Sequence, residues 1–165
     1  MKIQLKHIPQ TKIAIFDIEY DQGSLVQFAS LILHKDEPNI FSLKKSINIY
    51  IKQSHLLNSF FTNYTNITDE FLRDNGQDLA VARTLVDEVV FNIPKENILL
   101  VSHGIKNDLE LLNENNISLD CIPNTYCTYE KAKKLLHRNN HLKLKDVAAE
   151  SGYYMFNEHN AYADV

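Results

Sequence analysis

The stretch Ile13-Ala14-Ile15-Phe16-Asp17-Ile18-Glu19 constrains the fold most, because it sets two acids into a run that otherwise has no reason to meet water. A compact, branched, nearly all-apolar run of this length is the pattern of a buried strand. Successive residues of a strand point to opposite faces, so Asp17 and Glu19, two apart, project from the same one. Two like charges buried side by side are costly unless something cationic compensates them. Hard divalent ions that prefer oxygen ligands, such as magnesium or manganese, are the natural compensation. An Asp-x-Glu pair is weak evidence alone, since strand ends often carry surface acids, so the rest of the chain has to supply the other ligands.

The elements around this strand define a class. Leu25 to His34 and Ile40 to Ile51 read as two further strands, with turns at Asp21 to Ser24 and Lys35 to Pro38. Connections this short join antiparallel neighbours, which predicts a three-stranded meander. Thr68 caps a short helix that ends near Asn75-Gly76, and Leu79, Ala82, Leu85, Val86, Val89 and Val90 recur at helical spacing before Pro94. Ile98 to Val101 then reads as a buried parallel strand running through Ser102-His103-Gly104 into a helix with Leu109, Leu111 and Leu112. A second such unit follows at Thr125 to Thr128 and Tyr129 to Leu136, and one more helix runs from about Leu142 to Ser151. The expected fold is therefore α/β: a mixed five-stranded sheet, three strands antiparallel and two parallel, with helices on its faces.

Length and composition fit one domain and one site. At 165 residues and 44% hydrophobic, the chain can bury a single core without staples. Cys121 and Cys127 have no second pair with which to build a zinc cage and make no disulfide framework, so a reduced, cytoplasmic protein is the expectation. No signal peptide is legible, and no apolar run approaches a membrane span, which needs roughly 18 residues. The net charge of −4 is unevenly spread: residues 131 to 145 hold Lys131, Lys133, Lys134, Arg138, Lys143 and Lys145 without an acid, leaving −10 on the remainder. A solvated helix face explains such a run unless acids elsewhere form a metal site.

Two further positions supply candidates. Asp108 follows the Ile98 strand and opens a helix, where dipole complementarity alone would also select an acid. His159 and Asp164 stand five apart near the end of the sequence. On a helix they would be separated by about 140° and ~7.5 Å, flanking one site from different sides.

Together these residues resemble the DnaQ-like, histidine-containing DEDD (DEDDh) family of 3′-to-5′ exonucleases, whose fold is ribonuclease H-like. Asp17-Ile18-Glu19 is similar to the family's first motif, Val101 through Asp108 to its second, and His159-Asn160-Ala161-Tyr162-Ala163-Asp164 to its third. Asn66-Ile67-Thr68 and Cys127-Thr128 resemble its lesser signatures, so the likeness covers residues 11 to 165. The chain departs from the pattern at Tyr20-Asp21-Gln22-Gly23 and at Asn107, positions near the expected terminal nucleotide.

The resemblance implies a two-metal phosphodiesterase using two magnesium or manganese ions, with Asp17 bridging, Glu19 and Asp164 completing the first site, Asp108 holding the second, and His159 as general base. It implies single-stranded DNA or RNA 3′ ends as substrate, with a polymerase or another replication or repair protein as a further partner and no membrane. Tyr20, Asn107, Lys131, Lys134, Arg138 and Lys143 are the candidate substrate contacts. Tyr153, Tyr154 and Phe156 are candidates either for stacking on a base or for the core, and His103 and His141 read as loop or surface residues. A non-catalytic binding module on the same fold is the alternative. In the family the helix begun at the third motif continues for several turns, so residues 1 to 165 are expected to be a single exonuclease domain lacking the end of its C-terminal helix, with residues from about Asn157 onward frayed or displaced when no metal is bound.

Overall fold

The computed structural model describes residues 2–5, 7–90, 94–119, 121–137, 142–155 and 159–165. Its sheet has six strands: β1 (Lys2–Gln4), β2 (Lys12–Asp21), β3 (Ser24–Glu37), β4 (Ile40–Tyr50), β5 (Ile98–Ser102) and β6 (Asn124–Cys127), in the order β1-β4-β3-β2-β5-β6. β2, β3 and β4 form the expected antiparallel meander, and β5 and β6 extend it in parallel. The expectation of five strands is corrected by β1, which pairs antiparallel with β4 through Lys2↔Ser42, Ile3↔Phe41 and Gln4↔Ile40. Three residues give too short an alternation to register as a strand; only the open edge of β4 makes them one.

The period of two on β2 decides where everything else sits. Ala14, Phe16 and Ile18 enter the larger core with Phe28, Ile32 and Leu100, which α3 (Leu79–Val90) covers with Ala82 and Val86 and α4 (Ile105–Glu114) with Ile105 and Leu112. Ile13 and Ile15 point the other way, into a second cluster with Leu33 and Phe41. Asp17 and Glu19 continue that second face towards the carboxyl end of the strand.

Between β4 and α3 lie α1 (Ser59–Thr65) and α2 (Asp69–Asn75), packed around Val26, Leu57, Phe61, Ile67 and Leu72. Thr68 caps α2 by accepting the Phe71 N–H, as its position before Asp69 predicts. Gly76 closes that helix where a Cβ would stand 2.4 Å from the Leu72 carbonyl oxygen and 3.0 Å from the Lys52 backbone nitrogen, so no other residue fits. The remaining helices are α5 (Thr128–Leu135), α6 (Leu144–Glu150) and α7 (Ala161–Asp164). Among the described residues no helix is long and apolar enough to cross a membrane.

Candidate active site

The acids of β2 and α7 meet at the carboxyl end of the parallel part of the sheet, where open α/β sheets place their sites. Asp17 and Glu19 arrive from β2. Asp164 arrives from the last turn of the chain, which packs on β2, β3 and β4. One carboxylate oxygen from each of the three lies within 4.8 Å of the others. An all-oxygen, all-anionic donor set of this size suits a hard divalent cation, so the residues fit the ion that the sequence implies.

The electrostatics show the same conflict. Burial, then the charges of Glu19, Asp108 and Asp164, push the Asp17 carboxyl up to about 8, against a single opposing hydrogen bond from the Ile18 backbone. Burial, Asp164 and Asp108 raise Glu19 to about 7. Asp108 is raised to about 6 by burial, although the Ser102 hydroxyl donates to its Oδ2. Asp108 therefore stands within electrostatic reach of the cluster without belonging to the tight group of three. It stands at the first turn of α4, after a turn in which Gly104 takes φ 101, a value that favours glycine.

His159 stands in the same cleft, of about 390 Å³, with Asp17, Glu19, Tyr20, Tyr64, His103, Lys143, Lys145, Met155 and Asp164 along its walls. It is not on a helix with Asp164. Its φ is 66°, Asn160 caps the helix by accepting the Tyr162 N–H, and α7 begins only at Ala161. The 140° helical separation is thus replaced by a left-handed turn that swings the ring away from the helix axis, onto the Tyr64 ring. The two rings stack with centroids 3.4 Å apart and planes inclined by 23°. Of the terminal segment expected to fray, residues 159–165 are described, and Ala161 among them is fully buried. Asn157 and Glu158 lie outside the described residues.

The substrate candidates divide. Tyr20, 55% exposed, and Lys143 line the cleft. Asn107 is exposed on α4, Lys131 reaches over the Tyr126 ring at 5.5 Å, and Lys134 is exposed on α5; none of these three lines the cleft. Arg138, His141 and Phe156 lie outside the described residues. Tyr153 and Tyr154, 73% and 85% exposed, are not core residues. His103 is a loop residue as expected, but its ring is tied to the Thr128 hydroxyl and the Leu142 carbonyl at 3.0 Å each and meets Tyr129 edge-on. It braces the α5 and α6 side of the cleft.

Tyr64 was not singled out in the sequence, because α1 was not. The buried Phe61 and Thr65, four apart after the Asn58 cap and preceded by the buried Leu57, were the signal available. Asp21, itself buried, accepts the Asn58 N–H at 2.9 Å, so the end of β2 fixes the start of α1 and with it Tyr64.

Comparison with known proteins agrees with this geometry. Residues 14–165 match the model of the RNase T exonuclease family. Among curated proteins no sequence matches the chain. Solved structures of the same fold include exonuclease I, in the structure that suggests how processivity is achieved (TM-score 0.74, 16% identity, 94% of this chain and 39% of that one). E. coli exonuclease I in complex with a dT13 oligonucleotide is similar at TM-score 0.72 and 15% identity, over 94% of this chain and 39% of that one. A 3′-exonuclease that recognises the 3′ end of a histone mRNA stem-loop is similar at TM-score 0.71 and 14% identity, over 94% of this chain and 60% of that one. The chain thus spans well under half of exonuclease I, and these identities establish a likeness of fold.

Proposed function

Because the chain belongs to the RNase T exonuclease family, of the DnaQ-like, histidine-containing kind, we propose that it is a metal-dependent 3′-to-5′ exonuclease acting on single-stranded nucleic acid. The observation that carries this reading is the convergence of Asp17, Glu19 and Asp164 within 4.8 Å in a cleft that also holds His159. Asp17, Glu19 and Asp164 would hold one magnesium or manganese ion, and Asp17 with Asp108 a second. When bound, such ions supply charge neutralisation at the phosphate and the leaving oxygen and ease deprotonation of the attacking water.

The protein's own groups do the rest. His159 accepts the proton of the attacking water, a task suited to an imidazole. Its stack on Tyr64 fixes the plane of the ring. Ser102 engages one oxygen of Asp108, which restricts how that carboxylate can turn. Lys143 and Tyr20 on the cleft wall offer a phosphate partner and an exposed ring. Phe60 and Tyr64, stacked at 5.7 Å, offer an aromatic surface on which bases can lie. Similar folds bound to dT13 and to a histone mRNA end support a single-stranded DNA or RNA 3′ terminus as substrate. The free thiols of Cys121 and Cys127 are in keeping with a reducing compartment such as the cytoplasm.

The test is digestion of 5′-labelled single-stranded DNA and RNA oligonucleotides with manganese or with a chelator. Stepwise shortening from the 3′ end, abolished by the chelator and by Asp17→Asn, is expected. Equal degradation with and without metal would overturn the reading, and so would an intact substrate accompanied by a melting temperature that manganese leaves unchanged.

A further inference from the structure

A buried polar network on the sheet face beneath α7 takes no part in the chemistry above. Gln27 on β3 pairs with Glu19 on one side and with Tyr50 on the other, so these three side chains share a face of the sheet. Gln27 is fully buried, at 0% exposure. A buried amide must find partners for its carbonyl and for its NH2, or cost the molecule their desolvation. Its Oε1 accepts the Ala161 N–H at 3.1 Å, and its Nε2 donates to Asn48 Oδ1 at 2.8 Å and to Asn160 Oδ1 at 3.3 Å. Asn160 in turn accepts the Tyr162 N–H at 3.1 Å and donates to the Tyr50 hydroxyl at 3.4 Å.

The two residues that Gln27 grips, Asn160 and Ala161, stand between His159 and Asp164. α7 is four residues long. Its contacts with the sheet include Gln27, the side chain that bonds both to its first N–H and to its capping residue.

We propose that Gln27 is the positioning residue of this site: its amide docks the Asn160–Ala161 segment on β3 and so sets where Asp164 and His159 stand relative to Asp17 and Glu19. An amide suits the task for a stated reason. It offers an acceptor and two donors at once, and it adds no charge beside three carboxylates that already repel one another. The inference deepens the metal-site reading and rests on it for its second test, but not for its first.

The first test is amide hydrogen exchange without added metal. Gln27→Met keeps the volume and removes every hydrogen bond. The amides of residues 161–164 should then exchange about tenfold faster or more. Ile32→Val, in the larger core on the opposite face, should lower the melting temperature while leaving protection of that segment unchanged. Asn160→Ala, at a half-buried position, gives the same reading should Gln27→Met fail to fold. The second test is manganese affinity by calorimetry, which a merely structural change would not move. Gln27→Met should weaken binding about tenfold in the parent protein and add nothing in an Asp164→Asn background, since the effect passes through Asp164. Unchanged protection of residues 161–164, or an equal loss of affinity in both backgrounds, would overturn the proposal. A parent protein that binds no manganese and digests no oligonucleotide would sink the exonuclease reading instead, and the exchange result would still decide whether Gln27 docks the motif.

Discussion

Asp17 is held beside Glu19 and Asp164 in a partly buried site, and burial together with those neighbours pushes its carboxyl up to about 8. A group raised this far opposes folding whenever it is ionised. Asp17→Asn keeps the shape and removes the charge, so in chelator at about pH 8 it should raise the melting temperature by about 3 °C or more. Nuclease activity should vanish in the same sample. A variant that is neither stabilised nor inactive would remove Asp17 from the centre of the site. His159→Ala should lower kcat by about a hundredfold with far less effect on KM, because a proton acceptor acts in the transition state; equal kcat in the two proteins would place the general base elsewhere. Asp17 and Glu19 were legible because a strand has a fixed period and acids break its apolar pattern. Gln27 was not, since a polar residue between Val26 and Phe28 reads as ordinary alternation until its partners arrive from 21 and 133 residues away.

Elements were legible in proportion to how much of their stability is local. β2, β3, β4, β5 and α3 announce themselves by apolar period, and α2 by its Thr68 cap. β1 escaped because it exists only against the edge of β4. α7 was misjudged for the converse reason: the H-x-x-x-x-D spacing suggested one helix through both residues, whereas the left-handed His159 and the Asn160 cap start it only at Ala161, past the histidine. α1 carries weak helix formers and is pinned from outside by Asp21. Its exposed face is the one that matters for the proposed substrate. Phe60 is 74% exposed and stacks on Tyr64, which lines the cleft. Phe60→Ala should therefore leave the melting temperature unchanged and weaken binding of a single-stranded oligonucleotide by about fivefold or more, as loss of one base-stacking ring does. Anisotropy titration in chelator, where no cleavage interferes, reads this directly. If affinity is unchanged, the strand does not cross α1.

Across the whole molecule, the cluster makes stability depend on pH in the sense opposite to that of an ordinary salt-bridged protein. Asp17 is raised to about 8, Glu19 to about 7 and Asp108 to about 6, each first by burial. In the unfolded chain these groups return to the ordinary carboxylate range, near 4. Between about pH 4 and about pH 8 the native state thus holds more protons than the unfolded one, and the slope of unfolding free energy against pH is negative. Stability contributed by the protonated cluster is present at the acid end of that window and is lost as pH rises through the folded values. A divalent cation bound by the same oxygens competes with those protons and takes over their role at high pH. In chelator, the melting temperature should therefore fall as pH is raised from about 5 to about 8, and manganese should flatten or reverse that fall, with its largest stabilisation at the alkaline end. Asp17→Asn should flatten the chelator curve in the same way without metal. Differential scanning calorimetry on the two proteins, with and without manganese, checks all four curves. A melting temperature in chelator that rises steadily across this window would mean that the carboxylates are not mutually raised in the folded protein, and that the three acids do not form the site described.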